Sequence, residues 1–180
     1  MTSLWWYLAR SSGIVATVLI AATLGWGLIF SARGTGRRLR PAWWLDLHNW
    51  LGGLALAFTM VHVVTVVADS DLGIRLVDVI VPGTASYRTM AMALGVVAFE
   101  LVALATLTSL RPLKARLTLR VWHAIHLASV PAAVLTGLHA YQAGTDATRA
   151  AFKLGLAVLA GAAVYPAALR VLGLRRSRPA

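Results

Sequence analysis

The sequence predicts an all-α integral membrane protein, a helical bundle of about five transmembrane helices. Hydrophobic residues make up 59% of the 180 residues and charged residues only 13%, whereas about a quarter of a soluble domain is charged. The apolar residues also fall in long uncharged runs, and about 20 such residues in a helix cross the hydrocarbon core of a bilayer. Both observations indicate that lipid surrounds most of the chain.

The predicted spans follow one another with short connections. Runs of the required length with at most one charge cover residues 11–32, 47–68, 89–110 and 121–145. Glu100 is the single charge within these runs. A fifth apolar segment is bounded by Lys153 and Arg170, whose long side chains can reach the polar interfaces while their stems remain in lipid.

The basic residues predict the topology. Twelve of the seventeen Lys and Arg residues lie in SARGTGRRLR, in SLRPLKARLTLR and in the C-terminal tail, in alternation with the helices. Because cytoplasmic loops carry the excess of Lys and Arg, the N-terminus is expected outside and the C-terminus in the cytoplasm. The second and fourth helices then run parallel. A net charge of +11 is also found in nucleic-acid-binding proteins, but charges confined to short inter-helix loops predict no nucleic-acid partner.

One domain over residues 1–180 is expected, because five spans and their connections use nearly the whole chain. The segment GTGRRL follows no strand and lacks the third glycine of a dinucleotide fingerprint, so no flavin or NAD domain is predicted. The chain has no Cys, which excludes disulfides and thiolate-bound metals. The apolar stretch 74–81, in the longest external connection, is either a short interfacial helix or a loop packed on the bundle.

All five histidines lie on the second and fourth helices. His48 and His62 are fourteen residues apart, and His126 and His139 are thirteen apart. At 1.5 Å per residue each separation is about 20 Å. With parallel helices, His48 lies at the depth of His126 and His62 at the depth of His139. Two cross-helix pairs are therefore predicted, stacked across the membrane, with His123 one turn before His126.

Four roles for these histidines make different demands on the surrounding residues. Hydrogen-bonded packing explains a lone intramembrane His but poorly explains four at matched depths. A zinc or copper site gathers its ligands within a few ångströms, and a proton relay or transporter would use Glu100 as well. Two imidazoles facing a flat apolar cavity fit haem. They would occupy both axial positions of its iron, so no position stays open for a substrate and the chemistry is electron transfer.

On a straight fourth helix, His126 and His139 would not point in the same direction, as this arrangement requires. Fourteen residues is close to four helical turns, whereas thirteen is nearer three and a half, so His126 and His139 diverge on a straight helix. Pro131 lies between them, and a proline kink or a π-bulge is expected to restore their phase. Small residues near the ligands are expected to let the helices approach a macrocycle: Gly52, Gly53, Ala55, Ala57, Ala124, Ala128, Ala132, Ala133 and Gly137.

These residues resemble the ferric reductase-like transmembrane domain, which is shared by ferric reductases, NADPH oxidases and the haem-binding membrane subunit of the bacterial methionine sulfoxide reductase system. The similar segments are LARSSGIVA, LHNWLGGLALAFTMVHV, SYRTMAMALGVVAFELVALATLTS and RVWHAIHLASVPAAVLTGLHAY. The resemblance implies a bundle with two haem b groups that carries electrons outward. His48 and His126 would hold the iron of the inner haem, and His62 and His139 that of the outer haem.

The resemblance extends to the transmembrane part alone, since oxidases and many ferric reductases continue into a flavin and nicotinamide domain. The electron donor is therefore expected to be a separate cytoplasmic flavoprotein or a membrane quinol, and the acceptor an external one such as ferric iron, a secreted redox subunit or oxygen. Arg10 and Arg88 are candidates for the propionates of the outer haem, and Arg40 and Arg120 for those of the inner haem.

The sequence thus predicts an electron-transfer cytochrome b in a bacterial plasma membrane, an oxidoreductase component that depends on a separate reductase. One alternative is a quinol-linked cytochrome b subunit of a larger complex. The other is a transporter without haem that depends on His and Glu100.

Overall fold

A computed structural model describes residues 4–31 and 42–176. These residues form helices and connecting turns, with no strand in the described ranges. The helices are α1 (Leu4–Ser31), α2 (Ala42–Ala68), α3 (Thr89–Leu107), α4 (Arg111–Lys114), α5 (Leu119–Leu127), α6 (Ser129–Ala143) and α7 (Ala150–Arg176). These elements confirm the predicted all-α membrane bundle. Helices are expected because lipid offers the backbone of a spanning segment no hydrogen-bond partner outside its own helix.

Four helical segments are long and apolar enough to cross a membrane. They are Leu4–Ser31, Trp43–Ala68, Thr89–Leu107 and Leu119–Ala143, and they coincide with the first four predicted spans. The fifth predicted span forms the continuous helix α7, but its apolar part within the described residues is Ala150–Tyr165, which is shorter than a full span. A fifth crossing, and the orientation of the termini, remain predictions.

The helices pack in two pairs. α1 lies along α2, and α3 lies along α6, while α7 and α6 also contact α1. Over the described residues, α2 has no comparable packing against α5 or α6. The two spans that carry the histidines are thus held apart by their neighbours, which leaves a gap between them.

One buried layer closes the middle of this gap. Ile20 of α1, Ala55 of α2, Val102 of α3 and Ala132 of α6 form a single core cluster. Ala132 is fully buried and Ala55 is only 2% exposed, so the helices meet closely where their side chains are methyl groups. Most large apolar side chains face outward instead, as expected where the surroundings are lipid.

The fourth span is broken at Ala128, between α5 and α6. The N–H of Ala128 donates to the carbonyl of Ile125, a three-residue turn at 3.0 Å, and the α-helical pattern resumes where Ala132 donates to Ala128. Pro131 has no N–H with which to bond Leu127. A 3₁₀ turn has about 3.0 residues per turn instead of 3.6, so this segment rotates faster along the chain. The break is a tightened turn and not a π-bulge, and it rotates the chain in the direction that the phase of His126 and His139 requires.

The connection between α2 and α3 is a packed loop with two 3₁₀ turns, Ser70–Leu72 and Leu76–Val79. Ile74 and Val79 are buried against Met92 of α3. Of the two readings of residues 74–81, the structure therefore favours the packed loop over an interfacial helix.

An ion pair ties this loop to itself. The guanidinium of Arg75 donates to both carboxylate oxygens of Asp78, at 3.1 and 2.9 Å, and the backbone N–H of Arg75 donates to Asp78 at 3.0 Å. These hydrogen bonds to its charged form hold the pKa of Asp78 well below the usual range of a carboxyl group.

We expect Asp78→Asn to loosen the loop, because the neutral amide loses the charge-assisted bonds to Arg75. The pKa of Asp78 is lowered in the folded state, so its contribution to stability is complete above the unfolded pKa of about 3.9 and is lost only as pH falls toward the folded value. Amide hydrogen exchange of residues 70–81 should therefore speed up in Asp78→Asn at neutral pH. Unchanged exchange, or an equal effect of Asp71→Asn at an exposed carboxylate, would contradict this expectation.

Candidate haem sites

The structure brings the four predicted ligands together in two facing pairs. The ring centroids of His48 and His126 are 5.9 Å apart, and those of His62 and His139 are 6.2 Å apart. Each pair joins α2 to the fourth span across the gap between them. The equal register of the two pairs confirms that these spans run parallel.

These separations suit one metal ion between each pair of rings. A bond between a metal and an imidazole nitrogen is about 2.0 Å long, and the nitrogen lies about 1.1 Å from its ring centroid, so a shared metal places two facing rings about 6 Å apart. Within residues 4–31 and 42–176, no three His, Asp or Glu side chains gather around a common point. A haem iron needs only two protein ligands, because the porphyrin supplies the other four.

Backbone carbonyls fix the orientation of the His62–His139 pair. Nδ1 of His62 donates to the carbonyl of Ala9 on α1, and Nδ1 of His139 donates to the carbonyl of Ala91 on α3, both at 2.7 Å. A carbonyl can only accept, so Nδ1 carries the proton in each ring. The Nε2 lone pair of each ring is then free to bind a metal.

A glycine makes each of these contacts possible. A Cβ on Gly13 would lie 2.9 Å from Nδ1 of His62, and a Cβ on Gly95 would lie 2.6 Å from Nδ1 of His139. Each glycine stands four residues after the accepting carbonyl, which is where a side chain would cover that carbonyl on a helix. We call a carbonyl and the glycine four residues later a glycine cradle.

The His48–His126 pair is held differently. Gly27 stands four residues after Thr23 and a Cβ there would lie 3.0 Å from Cε1 of His48, but Nδ1 of His48 faces the backbone of Thr23 without completing a hydrogen bond. Nδ1 of His126 lies 3.3 Å from the hydroxyl of Ser109. Ser109 thus occupies the place of the glycine in the fourth cradle.

The cradles are the site residues that the sequence reasoning missed. The sequence pointed only to small residues on the histidine helices, whose expected contact with a macrocycle stays a prediction. The glycines that contact the imidazole rings lie instead on α1 and α3. The signal was present as a second spacing: Gly13 and Gly27 are fourteen residues apart, as are Gly95 and Ser109. The first spacing equals that of His48 and His62 on α2, and the second exceeds that of His126 and His139 by one residue.

A cavity of about 460 Å³ borders the His62–His139 pair. Its lining is mostly apolar and comes from α1, α2, α3, α6, α7 and the loop between α2 and α3, with both cradle glycines among the lining residues. Its volume is within the range of sites for small molecules and cofactors. An apolar cavity beside two facing imidazoles fits a porphyrin.

The external arginines already have partners. Arg10 lines the cavity and makes a two-point ion pair with Asp146, at 2.6 and 2.9 Å, and Asp146 also pairs with Arg149 at 3.2 Å. Arg88 donates to the carbonyl of Gln142 at 2.6 Å. The propionate role of Arg10 and Arg88 stays a prediction.

The remaining candidates take no part in either pair. Arg120 and His123 are exposed on α5, and His123 contacts Trp122. Glu100 is exposed on α3 and does not line the cavity. Arg40 lies outside the described residues.

Four long apolar helices around two facing imidazole pairs define a membrane helical bundle with paired histidines on parallel spans. Comparison with protein families agrees: the model for the ferric reductase like transmembrane component matches residues 12–137, well over half of the chain. The chain belongs to this family, which makes it a membrane electron-transfer component. No curated protein matches its sequence significantly.

We expect Gly95→Ala to remove the cofactor held by the His62–His139 pair, because the added methyl group would occupy the place of the His139 ring. Gly161→Ala is the control on α7: its Cβ meets no atom within 4 Å and Gly161 does not line the cavity, and such a substitution in a helix is neutral or stabilises by about 0.4–1 kcal/mol. Haem content per purified chain measures both. Equal haem content in the two variants would contradict the cradle.

Proposed function

We propose that the protein is a di-haem cytochrome b that carries electrons across a bacterial plasma membrane. His48 and His126 ligate one haem iron, and His62 and His139 ligate the other. The observation that carries the proposal is the separation of both ring pairs by about the distance that one shared metal requires, in a chain of this family. A haem with two axial His ligands supplies one-electron transfer between ferric and ferrous iron.

The chain's own contribution is to position the ligands and to exclude water. Backbone carbonyls on α1 and α3 hold His62 and His139 in the tautomer that leaves Nε2 free, so the ligands need little rearrangement when the iron changes its charge. The apolar lining of the cavity beside His62 and His139 gives the iron held there a low dielectric. The core layer of Ile20, Ala55, Val102 and Ala132 separates the two sites, which lie about 20 Å apart along the helices.

The electron donor is proposed to be a cytoplasmic flavoprotein or membrane quinol, and the acceptor an external oxidant. With the N-terminus outside, His48 and His126 lie nearer the cytoplasm and receive the electron first. The basic stretch SLRPLKARLTLR is then close to this pair and offers cations to an acidic reductase. The transporter alternative is less favoured. Glu100 is exposed on α3 and does not line the cavity beside His62 and His139, so it forms no common site with these histidines.

We expect the purified protein to show the reduced-minus-oxidised spectrum of low-spin haem b. His62→Ala and His139→Ala should each lose one of the two haems, because each removes an axial ligand from the same iron. His123→Ala is the control on the same span and should keep both haems. A protein without haem on extraction, or loss of haem in His123→Ala equal to that in His139→Ala, would contradict the assignment.

The donor can be identified in proteoliposomes with the haem spectrum as the readout. A cytoplasmic flavoprotein donor predicts reduction by NADH with a soluble flavin reductase, added on the side of the His48–His126 pair, and a slower rate at high salt because basic side chains dock it. A quinol donor predicts reduction by a quinol in the bilayer with little dependence on salt. Reduction by neither would contradict both proposed donors.

A further inference from the structure

The two ligand pairs differ in how their Nδ1 atoms are bonded. Both rings of the His62–His139 pair donate to backbone carbonyls at 2.7 Å. In the His48–His126 pair, His126 has a 3.3 Å contact with the Ser109 hydroxyl, and His48 completes no hydrogen bond through Nδ1. The first pair is therefore strongly hydrogen-bonded and the second weakly.

Ser109 is a poor acceptor for His126 because of its other bonds. Its hydroxyl donates to the carbonyl of Ala105 at 2.7 Å, so its oxygen can only accept from its other neighbours. One of these is the indole N–H of Trp122, at 3.3 Å, the same distance as Nδ1 of His126. His126 and Trp122 thus share the neutral oxygen of Ser109 as an acceptor. The Ser109 hydroxyl also occupies the Ala105 carbonyl, which a glycine at position 109 would leave open.

A cation adds to the difference. Trp122 stacks on the His126 ring, with centroids 5.0 Å apart and planes 18° apart, and Nζ of Lys114 lies 3.8 Å from the centre of a Trp122 ring. At the other pair, the nearby cation Arg10 makes a two-point ion pair with Asp146, which Arg149 shares. Among the described residues, no carboxylate makes an ion pair with Lys114.

Both differences act on the iron in the same direction. A strong hydrogen bond from Nδ1 makes the imidazole more basic, which stabilises ferric iron and lowers the reduction potential. With a weak hydrogen bond the reduction potential stays higher. An uncompensated cation nearby favours the less positive ferrous state and raises the potential further.

On the basis of the proposed function, we propose that Ser109 and Trp122 are positioning residues that act through His126. They raise the reduction potential of the haem held by His48 and His126 above that of the haem held by His62 and His139. A single electron entering the protein, with oxidation of its donor by one electron, then rests on the iron next to Lys114. The pair in two glycine cradles is reduced second.

Ser109→Gly tests this inference, because it recreates the cradle found at Gly13 and Gly95. Nδ1 of His126, which already faces the backbone of Ala105, can then donate to that carbonyl without competition from the Ser109 hydroxyl. We expect the reduction equilibrium constant of that haem to fall about tenfold, which is about 59 mV for a one-electron couple, while the other haem is unchanged. Potentials are measured with dithionite and mediators on the full-length protein with both haems bound.

Trp122→Phe is the second variant, since it keeps an aromatic ring on His126 but removes the N–H that competes for Ser109. It should shift the same haem in the same direction by less. Thr89→Ala is the matched control: this hydroxyl on the same helix also bonds the carbonyl four residues before it, that of Ala85, and not a ligand, so neither potential should move. If Ser109→Gly fails to retain haem, Trp122→Phe alone decides.

The His62→Ala background, which keeps only the haem of the His48–His126 pair, assigns each potential to its pair. Equal potentials in the unmodified protein, a lower potential at the His48–His126 pair, or an unchanged potential in both Ser109→Gly and Trp122→Phe would overturn the inference. Two haems with equal potentials would still support the proposed function. Absence of haem would instead contradict the proposed function itself.

Discussion

The hydrogen bond from a histidine Nδ1 to a helix carbonyl is the interaction on which the site depends. A carbonyl within a helix already accepts one backbone N–H, and its second lone pair is reachable only where the residue four positions later has no side chain. Gly13 and Gly95 provide that opening for His62 and His139. The bond selects the tautomer and aims Nε2 across the gap, so the packing of α1 on α2 and of α3 on α6 determines where a metal can bind.

The same arrangement occurs twice along the membrane normal. Positions fourteen residues apart on α1, α2 and α3 repeat the cradle and the ligand, and Ile20, Ala55 and Val102 stand midway between them in the core layer. On the fourth span the two ligands face their partners although they are thirteen residues apart, and the tightened turn at Ala128 lies between them. This turn adds rotation in the direction that the phase requires.

The two levels are not equivalent, and the difference lies in the neighbours of the ligands. The level of His62 has strong carbonyl acceptors, an apolar cavity and an arginine paired with Asp146. The level of His126 has a shared hydroxyl, a stacked indole and a lysine. Two chemically identical pairs of histidines therefore have different surroundings at Nδ1, which is the basis of the different reduction potentials that we propose.

The sequence by itself determined the membrane bundle, the first four spans, the four histidines and their pairing by depth, because hydropathy and helical spacing are local properties of the chain. Tertiary structure alone decided which backbone atoms hold the rings. Gly13 and Ala9 precede His62 by about fifty residues, and nothing in a glycine of an apolar helix distinguishes a cradle from ordinary packing. The role of Ser109 likewise appears only once α3 meets α5, since a hydroxyl acquires its partners through contact between helices.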